Sequence, residues 1–229
     1  MRSSRWDAQG NIYLVVEGES LTAERVRDEV GDADGILEVR AQRDDWVEIT
    51  IWNPDGSQAE MSGNGTRIAA SWLAEGTGAD RVGVQVGDRV VAAAIGRDGL
   101  VEQDIGFVTV GEPEEVAGIR LTPVDVGNPH AVVEDDPAEL LRIGPLLETH
   151  ARFPNRTNVQ VAKRLGEGLV EARVWERGAG ETASSGSSAV AVAAALGVSP
   201  ATIRFPGGDL EVRLESGRAF LTGPAKRVD

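Results

Sequence analysis

A Ser-Gly pair opens an apolar, helix-forming run at two places in this chain. Ser62-Gly63-Asn64-Gly65 leads into Ile68-Ala69-Ala70-Ser71-Trp72-Leu73. Ser185-Gly186-Ser187-Ser188 leads into Ala189-Val190-Ala191-Val192-Ala193-Ala194-Ala195-Leu196. With Ser62 laid on Ser185, Ala70 falls on Ala193 and Leu73 on Leu196. The same offset, 123 positions, sets Val47-Glu48 and Trp52 on Val170-Glu171 and Trp175. At 117 positions, Gly10-Asn11 with Val15-Val16-Glu17 falls on Gly127-Asn128 with Val132-Val133-Glu134. A period this long is not that of a solenoid. Several matches in one order at nearly one offset indicate a duplication. The expected fold is therefore α+β, with two homologous, pseudo-symmetric domains over 1–113 and 114–229, joined within Val110 to Ile119.

Local patterns fill in each half. Gly10-Asn11 reads as a turn entering a buried strand over 12–17. Leu21 to Val30 reads as a helix capped by Thr22, and Ile36 to Arg40 as a strand. Trp46 to Trp52 alternates with period 2, as a half-buried strand does. Asn53-Pro54-Asp55-Gly56-Ser57 is a turn. Val82 to Val86 and Arg89 to Ile95 form a hairpin about Gly87-Asp88. In the second half, Pro137 to Glu148 reads as helix and Asn158 to Val161 as a short strand. Ile203 to Leu214, broken at Gly207-Gly208, repeats the hairpin.

Composition excludes several classes of function. The net charge is −14, from 37 acidic and 23 basic residues, which argues against nucleic acid or an anionic membrane as partner. No apolar run approaches the roughly 18–20 residues of a membrane span. The first residues, Met1 to Asp7, lack a signal peptide's apolar core, so a cytoplasmic location is expected. Cysteine is absent and histidine occurs twice. That removes thiolate chemistry and disulfides and argues against a metal site. No cofactor signature is present.

Helix N-termini expose backbone N–H groups that hold anions. Two of them, each led by Ser-Gly, would cradle a ligand carboxylate from Gly63, Asn64, Gly186 and Ser187. There they would stabilise charge developing in the ligand. Pseudo-symmetry about one ligand suits a reaction that treats both faces of a carbon alike, such as racemisation or epimerisation. Asn11, Asn53, Asn128, Asn158, Glu176 and Arg177 flank the two turns. Singly, each Asn is more often a turn residue than a ligand contact; together they favour a binding site. Arg177 suits a second carboxylate, because its fork binds carboxylates bidentately. His130 is as readily a structural histidine as a functional one.

These motifs resemble the diaminopimelate epimerase family of cofactor-independent amino-acid epimerases. The resemblance runs nearly end to end. It rests on Gly10-Asn11, Ala33-Asp34-Gly35, Asn53-Pro54-Asp55-Gly56-Ser57, Met61-Ser62-Gly63-Asn64-Gly65, Gly127-Asn128-Pro129-His130 and Thr157-Asn158-Val159. Glu176-Arg177-Gly178-Ala179-Gly180-Glu181-Thr182, Pro206-Gly207-Gly208 and Thr222-Gly223-Pro224-Ala225 complete it. It implies an active site in the interdomain cleft, interconversion of LL- and meso-diaminopimelate in lysine and peptidoglycan precursor synthesis, no cofactor, and a homodimer. It also implies Ser62 and Ser185 as the catalytic positions, with Asn53, Asn158, Glu176 and Arg177 resembling the contacts to the substrate's distal group.

The chain departs from the family where the chemistry lies. The family carries cysteines on the two turns, one thiolate and one thiol, on opposite faces of the α-carbon. Here both positions are serine. The histidine usual before Gly10-Asn11 is missing, and Ile12 stands where Asp is usual. A thiol becomes a thiolate at a helix N-terminus near neutral pH, whereas a serine hydroxyl needs an adjacent base. The expectation is a protein that binds its amino acid and epimerises it slowly or not at all. The competing readings are a lyase or isomerase of the same fold, as in hydroxyproline dehydratases or phenazine-pathway isomerases, and a non-catalytic amino-acid-binding homologue.

Overall fold

The computed structural model describes residues 2–18 and 20–228. The chain forms two compact units. The first holds residues 1–104 and 222–229, and the second holds 105–221.

The first unit contains β1 (Arg2–Asp7), β2 (Ile12–Glu17), α1 (Ala23–Glu29), β3 (Gly35–Arg43), β4 (Trp46–Trp52), β5 (Gln58–Ala59), α2 (Gly63–Thr77), β6 (Arg81–Val86) and β7 (Arg89–Ile95). The chain leaves this unit within β8 (Leu100–Phe107). β2 runs parallel to β3, β3 antiparallel to β4, and β4 parallel to β6. Residues along β2 and β3 point alternately to two cores. Val15 and Leu37 meet Ile68, Ala69 and Leu73 of α2, while Val16 and Ile36 meet Val26 of α1. Burial on both faces is why 12–17 reads as a nearly continuous apolar run. Thr22 caps α1 as expected, accepting from the N–H of Arg25.

The second unit repeats this plan. It contains β9 (Thr109–Val110), β10 (Glu114–Val116), β11 (Ile119–Asp125), β12 (Pro129–Glu134), α3 (Leu140–Glu148), β13 (Asn158–Gly166), β14 (Leu169–Glu176), β15 (Gly180–Thr182), α4 (Gly186–Leu196), β16 (Ala201–Phe205) and β17 (Gly208–Glu215). β12 runs parallel to β13, β13 antiparallel to β14, and β14 parallel to β16. α4 packs on one face through Val190 and Val192, and α3 on the other through Leu140, Ile143 and Leu147. α4 is apolar nearly all round, as a helix buried in a core must be. Its first-unit counterpart, α2, keeps polar residues at its start. The duplication inferred from motif spacing is thus a duplication of strand pairing.

The units differ from the expected halves at both ends. Residues 110–119 are no linker: β10 and β11 pair as a hairpin about Ala117-Gly118. The chain returns to the first unit within β18 (Arg218–Pro224), and β19 (Lys226–Arg227) pairs with β1. The buried Arg67 donates through Nε to the carbonyl of Pro224 at 2.9 Å. Backbone pairing and this buried contact tie 222–227 to the first unit. Residues 137–139 form a single 3-10 turn before α3, and the short strand expected at 158–161 extends to Gly166.

Candidate active site

Ser62 has extended backbone angles and caps α2; its Oγ accepts from the N–H of Gly65 at 3.0 Å. The helix begins at Gly63, so the free N–H groups of its first turn lie where the sequence placed an anion cradle. Asn64 and Asn11 come together, the Asn64 amide donating to Asn11 Oδ1 at 3.1 Å. Asn64 Oδ1 in turn accepts from Arg67 Nη2 at 2.9 Å. Arg67 is fully buried, and burial lowers its pKa to about 10. Asn53 stands apart from this group. Its Nδ2 donates to Ser57 Oγ at 2.9 Å within its own turn, which is the ordinary use of Asn in a turn.

One neighbour of Ser62 escaped the sequence reading. The hydroxyl of Tyr13 lies 3.3 Å from Ser62 Oγ. Tyr13 is 49 residues away in the chain and reaches Ser62 from β2. Its ring lies over Gly35, its partner in the β2–β3 register. A Cβ on Gly35 would stand 2.7 Å from Tyr13 Cε1, so only glycine leaves the ring room there.

In the second unit, Ser185 caps α4 in the same extended conformation, but its side chain makes no cap hydrogen bond. Asn158 joins the start of β12 to the turn after β14. Its Oδ1 accepts from the N–H of Arg177 at 2.9 Å, and its Nδ2 donates to the Pro129 carbonyl at 3.0 Å. Glu176 accepts from Thr182 Oγ1. The guanidinium of Arg177 is exposed and donates to the Asn155 carbonyl at 3.2 Å. Among the described residues no carboxylate pairs with it, so its fork is open to a ligand. Asn128 accepts from His130 Nε2 at 3.0 Å. Gly186 and Ser187 open α4, with Ser187 half-buried.

His130 is a structural residue. It is 2% exposed, and burial pushes its pKa down to about 3. Gln160 Nε2 lies 2.9 Å from its Nδ1 and also donates to Ser188 Oγ at 2.9 Å. A neutral ring that donates from Nε2 to Asn128 and accepts at Nδ1 from Gln160 satisfies both contacts. Its two nitrogens are engaged, so it is not a base for Ser185.

The Glu176-Arg177-Gly178 turn has a support the sequence did not reveal. Glu148, at the end of α3, accepts from Trp175 Nε1 at 2.7 Å and from the N–H of Gly178 at 2.9 Å. Arg156 lies 3.3 Å from the same carboxylate. The Trp175 hydrogen bond first, then the Gly178 N–H and Arg156, hold the Glu148 carboxyl below its ordinary pKa. Trp52, the first-unit counterpart of Trp175, likewise donates to a buried carboxylate, Glu38, at 2.7 Å. Among the described residues there is no acidic or histidine cluster that could hold a metal, and no helix is long and apolar enough to cross a membrane.

Comparison with known proteins agrees with this architecture. The family described as diaminopimelate epimerase matches residues 10–112 and 122–228. A diaminopimelate epimerase of Pelotomaculum thermopropionicum is 37% identical over 228 residues, covering 86% of this chain and 81% of its own. One from a Synechocystis species is 34% identical over 270 residues, covering 98% and 96%. Among solved structures, a predicted epimerase from Pseudomonas aeruginosa superposes with a TM-score of 0.77 at 16% identity, covering 100% of this chain and 97% of that one. At that identity the likeness is one of fold.

Proposed function

This chain belongs to the diaminopimelate epimerase family, and from that premise we propose that it binds diaminopimelate and interconverts its LL and meso forms by proton transfer at the α-carbon. Ser62 and Ser185 stand at the two proton-transfer positions, one for each face of the carbon. The observation that carries the reading is the pair of Ser-Gly turns, which open α2 and α4 at equivalent points of a duplicated strand order. The N–H groups of Gly63, Asn64, Gly186 and Ser187 receive the carboxylate next to the reacting carbon. Arg177, on the turn fixed by Glu148 and Asn158, takes the distal carboxylate. The protein works without a cofactor, in the cytoplasm, as a homodimer, in line with the family resemblance.

None of these binding groups needs a thiol, but proton transfer does need a group whose pKa lies near the working pH. Binding is therefore retained and turnover is slow. The test is an epimerisation assay on this chain beside its Ser62→Cys/Ser185→Cys variant. The double variant is expected to be faster by roughly 10²–10⁴-fold at similar affinity, and each single variant to keep most of the defect. Equal rates for parent and double variant would refute the reading. Loss of water from the ligand, or migration of a double bond, would identify a lyase or isomerase instead.

A further inference from the structure

The two turns are not chemically equivalent, and the difference lies in Tyr13. β2 and β12 are counterparts, and Tyr13 and His130 occupy the same place in them: Tyr13 faces Gly35 in the parallel register, and His130 faces Asn158. In the second unit that place holds a buried, neutral imidazole whose nitrogens face Asn128 and Gln160. In the first unit it holds a phenol whose oxygen lies 3.3 Å from Ser62 Oγ. Catalytic hydrogen bonds are often long before substrate arrives and tighten in the complex. Tyr13 is 7% exposed and packed over Gly35, so its ring has little freedom to turn away.

We propose that Tyr13 acts through Ser62 as the proton reservoir of the first Ser-Gly turn, which therefore exchanges the substrate α-proton with solvent faster than the second turn does. The inference rests on diaminopimelate being the ligand. A serine hydroxyl alone is too weak a base for an α-proton. A phenol ionises near pH 10 and can accept from or donate to a neighbouring hydroxyl. In the ionised form, Tyr13 O⁻ accepts from Ser62 Oγ–H. The α C–H bond breaks and its proton passes to Ser62 Oγ as the Ser62 proton passes to Tyr13. The electron pair moves into the carboxylate as an enolate, held by the N–H groups at the start of α2. The reverse transfer returns a proton, or a deuteron once the hydroxyls have exchanged with heavy water. Among the described residues Ser185 has no such partner: its hydroxyl makes no cap bond, and the imidazole in the corresponding place faces Asn128 and Gln160.

The test follows loss of the α-proton signal of LL- and meso-diaminopimelate in heavy water by NMR. In the parent, one epimer is expected to exchange at least about tenfold faster than the other. Its rate should exceed the epimerisation rate and rise with pH as Tyr13 ionises. Tyr13 is the only tyrosine in the chain, so tyrosinate absorbance titrates this residue alone. The midpoints of absorbance and exchange are expected to coincide. Tyr13→Phe should lower exchange by roughly 10²-fold or more and remove the pH rise, with calorimetric affinity and circular dichroism unchanged. An unaltered rate and pH profile in Tyr13→Phe would overturn the inference. So would a parent that binds the ligand and exchanges nothing. A parent that binds no diaminopimelate at all would overturn the proposed function, and this inference with it.

Discussion

The buried imidazole of His130 gives the protein a specific acid weakness. In the folded chain its pKa lies near 3, because burial disfavours the charged ring and the Arg177 charge adds to that; unfolded, it returns to about 6.5. Between these values the unfolded chain binds one proton more than the folded chain, so stability falls as pH falls. Each pH unit is worth about 1.4 kcal/mol, and from pH 7 to pH 4.5 the loss from this residue comes to about 2.5 kcal/mol. His130→Gln isolates it. A glutamine offers Asn128 a donor and Gln160 an acceptor, as the neutral ring does, and does not titrate. Urea unfolding of parent and variant at pH 7, 6, 5 and 4.5 provides the measurement. The variant is expected to be less stable at pH 7, because it fills the space less well. That gap should shrink by about 2.5 kcal/mol on acidification, since carboxylates common to both chains cancel. A gap constant with pH would show that His130 is not buried neutral, and the tautomer assigned to the site would fall with it.

Two other substitutions test the distal part of the site. Arg177→Ala should weaken binding of diaminopimelate by about 2 kcal/mol or more, and binding of an analogue lacking the distal carboxylate much less. Equal losses by calorimetry would show that Arg177 does not read that carboxylate. Glu148→Gln should cost about 1.5–3 kcal/mol near neutral pH, because a charged acceptor of hydrogen bonds is lost. The Glu148 pKa is lowered in the folded state, so its contribution is present above the usual carboxylate range and lost as pH falls through it. The parent and Glu148→Gln denaturation curves should therefore converge at low pH; parallel curves would refute the assignment.

What could be read in the sequence was whatever local pattern controls. The alternation at Trp46–Trp52 gave the bounds of β4, and Thr22 marked the start of α1 because capping is a contact over three residues. Both Ser-Gly turns were visible for the same reason. β1 was invisible: Arg2–Asp7 is almost wholly polar, and its inward side consists of Ser4 and Trp6, joined by a hydrogen bond of 2.9 Å from Trp6 Nε1 to Ser4 Oγ. The stretch 111–115, Gly-Glu-Pro-Glu-Glu, has linker composition, yet β10 is held there by pairing with β11. In the site, Asn11 and Asn64 were legible through their motifs, although their contact was not. Tyr13 beside Ser62 was beyond reach. It depends on a parallel register and on the missing side chain of Gly35, which act between residues distant in the chain. In the sequence His130 is as readily structural as functional; its burial follows from its place on β12 beside Gln160 of β13.

The return of residues 222–227 to the first unit also bears on how the protein is made. A ribosome releases residues 105–221 as one unbroken segment, whereas the first unit waits for strand β19 and for the Pro224 carbonyl that receives Arg67. During synthesis the earlier-made unit is thus the later to close, with a guanidinium at the start of α2 short of an acceptor in the interval. A fragment ending near residue 104 lacks that acceptor permanently, while a circular permutant that places 222–229 directly before residue 2 supplies it at once.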